Sequence, residues 1–262
     1  MPPLYIIPFA TYLLAALLLT RYFALDNITK RHRAVTNLLL LIACISHAYI
    51  LKDYWQGDGI FFGLVTSTSF ISWVVATLLF LTSLTKPVHV IGILVYPLTA
   101  VSVILLLLFP DTNSKLVSIS IASHVFLSVG AYALLSIAVA QSILLKIQER
   151  LLHDHNINTF IDKLPPLQTM EDFFFQTLKM GCILLTLSLA SGFIFVDEFF
   201  EQNLSYKTFL SVIAWIVFVG IAIGHKMFGW RGRNAILATQ IAFSVLVLAY
   251  FGTKLILERL IT

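Results

Sequence analysis

Eight long stretches of this chain contain no Asp, Glu, Lys or Arg, and each is 17 to 30 residues long. A helix of about 20 apolar residues crosses the ~30 Å hydrocarbon core of a bilayer. Charged residues make up 11% of the sequence, against roughly 25% in soluble domains. The pattern predicts an all-α, polytopic integral membrane protein that forms one membrane domain over residues 1–262. Its eight predicted transmembrane helices cover residues 4–20, 34–51, 59–85, 87–110, 116–145, 180–196, 208–225 and 234–253.

The basic residues are distributed unevenly between the predicted loops. With eight spans, consecutive loops lie on alternate sides, and 12 of the 17 Lys and Arg residues fall in or near the loops after spans one, three, five and seven. Loops rich in Lys and Arg tend to stay in the cytoplasm. The sequence therefore predicts that both termini lie on the non-cytoplasmic side. The same distribution accounts for the net charge of +4, so no nucleic-acid partner is expected.

The chain lacks the sequence motifs of several large enzyme classes. It contains no P-loop, GxGxxG, GxSxG or HExxH motif, and we do not expect it to be an enzyme. No charged residue lies well inside a predicted span, which argues against an ion-coupled transporter, because such proteins usually carry a charged group along their path. A transporter without ion coupling stays open. Cys44 and Cys182 lie inside spans without metal-binding spacing and are expected to be small buried residues.

Three histidines within the apolar runs are the best candidates for a functional site. His47 and His124 lie near the outer ends of spans two and five, at predicted depths of roughly 6–12 Å below the membrane boundary. An imidazole buried in lipid costs free energy unless it has a partner. A metal macrocycle with His47 and His124 as axial ligands of its iron would satisfy both rings. The alternative is that each ring bonds a Ser, a Thr or a backbone carbonyl. His225 ends span seven on the cytoplasmic side.

The sequence around His124 resembles a known family. Residues 123–134, SHVFLSVGAYAL, resemble the HxxLSxxxYxxL segment of the cytochrome c assembly family of membrane proteins, which includes the CcsA, CcmC and HemX types. Further matching segments follow in the family's order, and the chain is most similar to the eight-span inner-membrane branch of the YpjD and HemX type. These segments are 184–195, 214–215, 224–225, 230–233 and 249–252.

The resemblance implies a cofactor and a location. A member of this family is expected in the bacterial inner membrane, where it binds haem, here haem b, and takes part in cytochrome c biogenesis. By this resemblance His124 corresponds to the external histidine that ligates haem, His225 to a histidine near the end of the penultimate helix, and His47 to an early-span histidine. Other cytochrome c maturation or haem-synthesis proteins are the expected protein partners.

One departure from the family pattern limits the expected activity. Members that present haem to apocytochrome carry a tryptophan-rich loop, whereas the corresponding residues 196–207, VDEFFEQNLSYK, contain no Trp. The sequence therefore predicts an accessory haem-handling role without synthase activity. The alternative is a non-enzymatic regulator or scaffold of haem biosynthesis, which would hold a soluble partner through the cytoplasmic loop at residues 146–175. Span five is expected to continue into that loop as a helix, and Thr169 to cap the helix of span six.

Overall fold

A computed structural model shows a chain built mainly of long helices. It describes residues 2–24, 30–56, 59–85, 89–110, 115–153, 164–195 and 202–252. Within these ranges, eight helices are long and apolar enough to cross a membrane, which confirms the predicted fold class and number of spans. In chain order the helices are α1 (Pro2–Ala24), α2 (Lys30–Lys52), α3 (Leu64–Ser83), α4 (His89–Leu108), α5 (Ile119–His153), α6 (Leu167–Phe195), α7 (Gln202–Phe228) and α8 (Arg233–Val247), which continues as a π-helical turn, Leu248–Gly252.

A short antiparallel sheet accompanies the helices, and the sequence analysis did not predict it. Its strands are β1 (Trp55–Gln56), β2 (Gly59–Phe62) and β3 (Lys115–Ser118), with β2 in the middle. The predicted spans three and five included residues of β2 and β3, so α3 and α5 begin later than expected. Short apolar runs rich in Ile, Phe and Val suit a strand as well as a helix, and pairing with a neighbouring strand decides between them.

The connection between α5 and α6 differs in part from the prediction. Helix α5 continues to His153, which confirms that span five extends beyond its apolar run. The prediction for Thr169 was wrong, because α6 begins at Leu167 and contains Thr169. The helix follows Pro165 and Pro166 directly, and proline favours the start of a helix because its φ angle is already helical. Lys179, just before the predicted start of span six, also lies inside α6.

The chain forms two compact units, and the first contains Met1–Ser118 with Ile147–Leu167. Helix α1 packs against α2 and α4, and α3 packs against the same two helices. The ring of Tyr12 on α1 stacks on Tyr96 of α4, with ring centroids 6.1 Å apart. Its hydroxyl lies 3.7 Å from Sγ of Cys44 on α2, and the indole of Trp73 donates to the Cys44 carbonyl at 2.9 Å. The interior of this unit is therefore held by hydrogen bonds as well as by apolar packing.

The second unit contains Ile119–Lys146 with Gln168–Thr262. Side-chain hydrogen bonds connect its helices. Trp215 of α7 donates to Thr186 of α6 at 2.8 Å, Tyr132 of α5 donates to the Leu246 carbonyl of α8 at 3.1 Å, and Gln240 of α8 donates to Ser142 of α5 at 3.0 Å. Bonds of this kind hold membrane helices together where the hydrophobic effect contributes little. Cys44 of the first unit and Cys182 of the second are both buried free thiols, as predicted.

Candidate functional site

His124 lies five residues after the start of α5, and its ring is partly buried. Its Nδ1 lies 2.9 Å from the carbonyl oxygen of Ser188 and 3.0 Å from Oγ of Ser191, both on α6. Ser128, one turn further along α5, has its Oγ 2.7 Å from Oγ of Ser188. We refer to these four residues, His124, Ser128, Ser188 and Ser191, as the α5–α6 polar cluster.

The protons of the α5–α6 polar cluster can be assigned by elimination. The Ser188 carbonyl only accepts hydrogen bonds, so Nδ1 of His124 must carry a proton. The Ser191 hydroxyl donates to that carbonyl at 2.8 Å, so its oxygen accepts from Nδ1. The Ser128 hydroxyl donates to the His124 carbonyl at 2.7 Å and therefore accepts from the Ser188 hydroxyl. Each donor in the cluster has an acceptor in this arrangement.

The assignment leaves Nε2 of His124 as a nitrogen with a free electron pair in the neutral ring. Oγ of Ser128 lies 3.5 Å away, but its proton is already donated to the His124 carbonyl. Histidines that ligate a metal usually donate their other ring N–H to a carbonyl or a carboxylate, which fixes the tautomer and the ring orientation. His124 has this arrangement, so its ring fits an axial haem ligand.

His47 belongs to the first unit and is fully enclosed. It lies five residues before the end of α2 and has 0% of its surface exposed. Its Nε2 lies 2.9 Å from Oγ of Ser69 on α3, and the edge of its ring meets Tyr12, with centroids 5.9 Å apart and planes at 79°. Its Nδ1 has no hydrogen-bond partner among the described residues. The bond of His47 to a serine follows the alternative that the sequence left open, as do the bonds of His124 to Ser188 and Ser191.

The two histidines therefore fit a haem unequally. His124 offers a partly exposed ring with a free Nε2, whereas the Nε2 of His47 is bonded to Ser69 inside a closed core. To ligate iron through Nε2, His47 has to give up this bond and leave its present packing. In the ranges that the structure describes, no group of three or more His, Cys, Asp and Glu side chains is arranged to hold a bare metal ion.

His225 lies at the opposite end of α6 from the α5–α6 polar cluster. Its ring stacks on Phe175 of α6, and its Nδ1 lies 3.0 Å from the Trp230 carbonyl. Phe175 precedes Ser188 by 13 residues, which is about 20 Å along a helix. The structure therefore does not bring His225 together with His124, and it places His225 against the connection between α7 and α8.

That connection is a compact turn held by α6. Gly229 and Gly232 have φ angles of 66° and 70°, which glycine adopts at little cost. The N–H of Gly232 donates to the carboxylate of Glu171 at 3.3 Å, and Arg231 lies 4.0 Å from the same carboxylate. Glu171 and Phe175 are one helical turn apart, so the same part of α6 contacts both His225 and this turn.

Sequence reasoning identified His124 but missed its partners on α6. Ser128 could be placed on the same helix face because it follows His124 by four residues. Ser188 and Ser191 carry no comparable signal, because the pairing of α5 with α6 is needed to bring them to His124. The predicted outer loop lies largely outside the described residues, which end at Phe195 and resume at Gln202.

Comparison with known proteins supports the resemblance noted in the sequence. The inner membrane protein YpjD of Escherichia coli K12 is 32% identical over 133 residues, which are 51% of this chain and 50% of that protein. An uncharacterized 28.8 kDa protein of Azospirillum brasilense is 31% identical over 140 residues, 53% of this chain and 52% of the relative. The cytochrome c biogenesis protein CcsA of Synechococcus sp. WH7803 is 24% identical over 91 residues, 34% of this chain and 28% of the relative.

The chain thus spans about half the length of the first two of these relatives. No solved structure matches it. With eight membrane-spanning helices and an inner-membrane relative, it is a multi-pass protein of the bacterial inner membrane. The model of the family described as cytochrome C assembly protein matches residues 67–261, and the chain belongs to this family.

Proposed function

We propose that this protein binds haem b within the membrane and that Nε2 of His124 is an axial ligand of the iron. The observation that carries the proposal is the bonding of His124, whose Nδ1 proton is held by Ser188 and Ser191 while Nε2 keeps its electron pair. Bound haem would supply an iron centre able to change its oxidation state. The residues of this chain would supply the ligand, its tautomer and its orientation.

His47 is the proposed second axial ligand. The sequence supports it through its position near the outer end of its span. The proposal requires that haem binding replaces the bond between His47 and Ser69. His225 is assigned to the packing of the α7–α8 turn and not to this haem.

Absorbance spectra of the detergent-purified protein, oxidised and reduced, test both ligands after titration with haem. We expect His124→Ala to lose the Soret band and His47→Ala to keep haem but change from a low-spin to a high-spin spectrum. His89→Ala, which changes a histidine at the end of another spanning helix, is the matched control and should leave the spectrum unaltered. An unchanged spectrum in purified His124→Ala protein would remove His124 from the site.

In the cell, the proposed role is accessory to cytochrome c assembly, with both termini on the non-cytoplasmic side. The absence of Trp from residues 196–207 supports a role other than haem presentation. We expect deletion of the gene to lower the amount of haem-containing c-type cytochromes without abolishing them, and alkaline phosphatase fused to the C terminus to be active outside the cytoplasm. The regulator alternative instead predicts a protein that takes up no haem and co-purifies with a soluble haem-synthesis enzyme.

A further inference from the structure

We propose that Ser191 is a positioning residue for His124, acting with Ser188 and Ser128 to keep the imidazole in one tautomer and to set how strongly Nε2 donates its electron pair. This inference rests on the proposed function, because the donor strength matters once Nε2 binds a metal. It assigns to a pair of serines on α6 a role that neither the sequence nor the family match gives them.

The geometry gives the Nδ1 proton of His124 two acceptors. They are the Ser188 carbonyl at 2.9 Å and the Ser191 hydroxyl oxygen at 3.0 Å. Ser191 can only accept here, because its own proton is donated to the Ser188 carbonyl at 2.8 Å. A proton shared between two acceptors leaves more negative charge on the ring, which raises the basicity of the opposite nitrogen. Ser191 therefore makes Nε2 a stronger metal ligand, although Ser191 itself bonds only the other ring nitrogen.

Ser188 and Ser128 keep this arrangement in place. The Ser188 hydroxyl donates to Ser128 at 2.7 Å, and Ser128 donates to the backbone carbonyl of His124 at 2.7 Å. The hydroxyl of Ser188 is thus committed to α5, while its carbonyl faces His124. Because Ser188 and Ser191 are buried, water does not readily replace either oxygen. The ring of His124 is therefore held at Nδ1 by two groups whose own bonds are satisfied.

The first test needs no haem. In haem-free protein labelled with ¹⁵N-histidine, magic-angle-spinning NMR should show the His124 ring, identified by its loss in His124→Ala, as the tautomer protonated at Nδ1. Ser191→Ala should keep this tautomer, because the Ser188 carbonyl still accepts the Nδ1 proton, but it should shift the ¹⁵N signals of the ring, because Nδ1 has lost its second acceptor. Ser191→Thr, which keeps a hydroxyl oxygen, should restore the wild-type signal. A wild-type signal in Ser191→Ala would overturn the inference.

The second test uses the haem-loaded protein. Loss of the group that accepts a hydrogen bond from a metal-binding histidine typically weakens metal binding 10- to 100-fold. Because the Ser188 carbonyl remains, we expect Ser191→Ala to weaken haem binding about tenfold. The reduction potential should rise, since a less basic imidazole stabilises the ferric iron less. Ser191→Cys, whose sulfur is a weak acceptor, should give an intermediate potential and serves if Ser191→Ala does not fold.

The matched control is Ser136→Ala. Ser136 lies on α5 and donates to the carbonyl four residues before it at 2.7 Å, as Ser128 does, but it lies two turns away from the polar cluster. Its substitution should leave the haem potential unchanged. If His124→Ala keeps its haem, the proposed function fails and the inference with it. If His124→Ala loses its haem but Ser191→Ala has the same haem reduction potential as the wild type, the inference alone fails.

Discussion

The imidazole of His225 lies parallel to the ring of Phe175, with ring centroids 3.5 Å apart and planes 13° apart. The same imidazole is bonded through Nδ1 to the Trp230 carbonyl. One side chain thus connects α6, the end of α7 and the turn that leads to α8. A histidine held on one face and at one nitrogen in this way stabilises the local packing, whether or not haem is bound elsewhere.

Replacing His225 by Ala is expected to lower the stability of the protein and to leave the His124 site intact. Loss of the stacking should lower the free energy of unfolding by about 0.5–1.5 kcal/mol, and loss of the hydrogen bond should lower it by about 0.5–1.5 kcal/mol more. Chemical unfolding of the detergent-purified protein measures the change. A double-mutant cycle with Phe175→Leu should give a coupling energy of the size of the stacking contribution. Loss of haem from His225→Ala protein that remains folded would instead make His225 part of the cofactor site.

The glycine before His225 gives a second prediction about the α7–α8 turn. A Cβ added at Gly224 would lie 2.3 Å from Cε3 of Trp230, whereas one added at Gly220, one turn earlier, would meet nothing within 4 Å. We expect Gly224→Ala to lower the midpoint of thermal unfolding, because the Trp230 ring must leave the helix surface, at a cost of about 1–3 kcal/mol. Gly220→Ala should be neutral or raise the midpoint, since Ala favours helix by about 1 kcal/mol. Equal midpoints for the two variants would contradict the packing of Trp230 on Gly224.

The helical framework could be predicted from the sequence, because bilayer thickness fixes the length of an apolar run. The sequence could not show where α3 and α5 begin, since the sheet that precedes them is completed when β3 pairs with β2, more than 50 positions earlier in the chain. Thr169 failed as a cap for a local reason, because the proline pair before Leu167 starts the helix earlier. The first boundary thus depends on pairing between distant parts of the chain, and the second on the residues directly before the helix.

The residues of the candidate site could be predicted from the sequence, but their hydrogen bonds could not. His47 and His124 were chosen by the same reasoning, namely a polar ring in an apolar run. The structure separates them, because Ser69 occupies Nε2 of His47, whereas Ser188 and Ser191 occupy Nδ1 of His124. Which nitrogen stays available depends on the neighbouring helix, and one sequence without its helix pairing does not contain that information.

The close approach of α5 and α6 predicts that substitutions at two glycines differ in their cost. A Cβ at Gly181 would lie 2.9 Å from Cγ and 3.3 Å from the backbone nitrogen of Leu135, which is fully buried. A Cβ at Gly130 would meet only the Cδ1 tip of Leu184, at 3.1 Å. We expect Gly181→Ala to destabilise the protein by about 1–3 kcal/mol, because the two backbones must separate, and Gly130→Ala to cost less.

Chemical unfolding of both variants checks this order. Separation of α5 from α6 should also lengthen the bonds between His124 and the α6 serines, so Gly181→Ala should bind haem more weakly than Gly130→Ala. A Gly130→Ala protein that is the less stable of the two would show that the helices approach at a different point.

The bond between His47 and Ser69 gives the last prediction. Ser69→Ala removes the partner of Nε2 in a fully buried ring whose Nδ1 already lacks a partner among the described residues. An unsatisfied buried polar group costs about 1–3 kcal/mol, so the free energy of unfolding of the haem-free protein should fall by about that amount. Ser46→Ala, which removes a hydroxyl bonded within α2 at 2.7 Å, is the control and should change the free energy of unfolding by less than about 0.5 kcal/mol.

Because His47 must release Ser69 before it can bind iron through Nε2, Ser69→Ala should also bind haem more tightly than the wild type. If Ser69→Ala lowers stability but leaves haem affinity unchanged, His47 stays a structural residue of the first unit, and the second axial ligand has to be sought elsewhere.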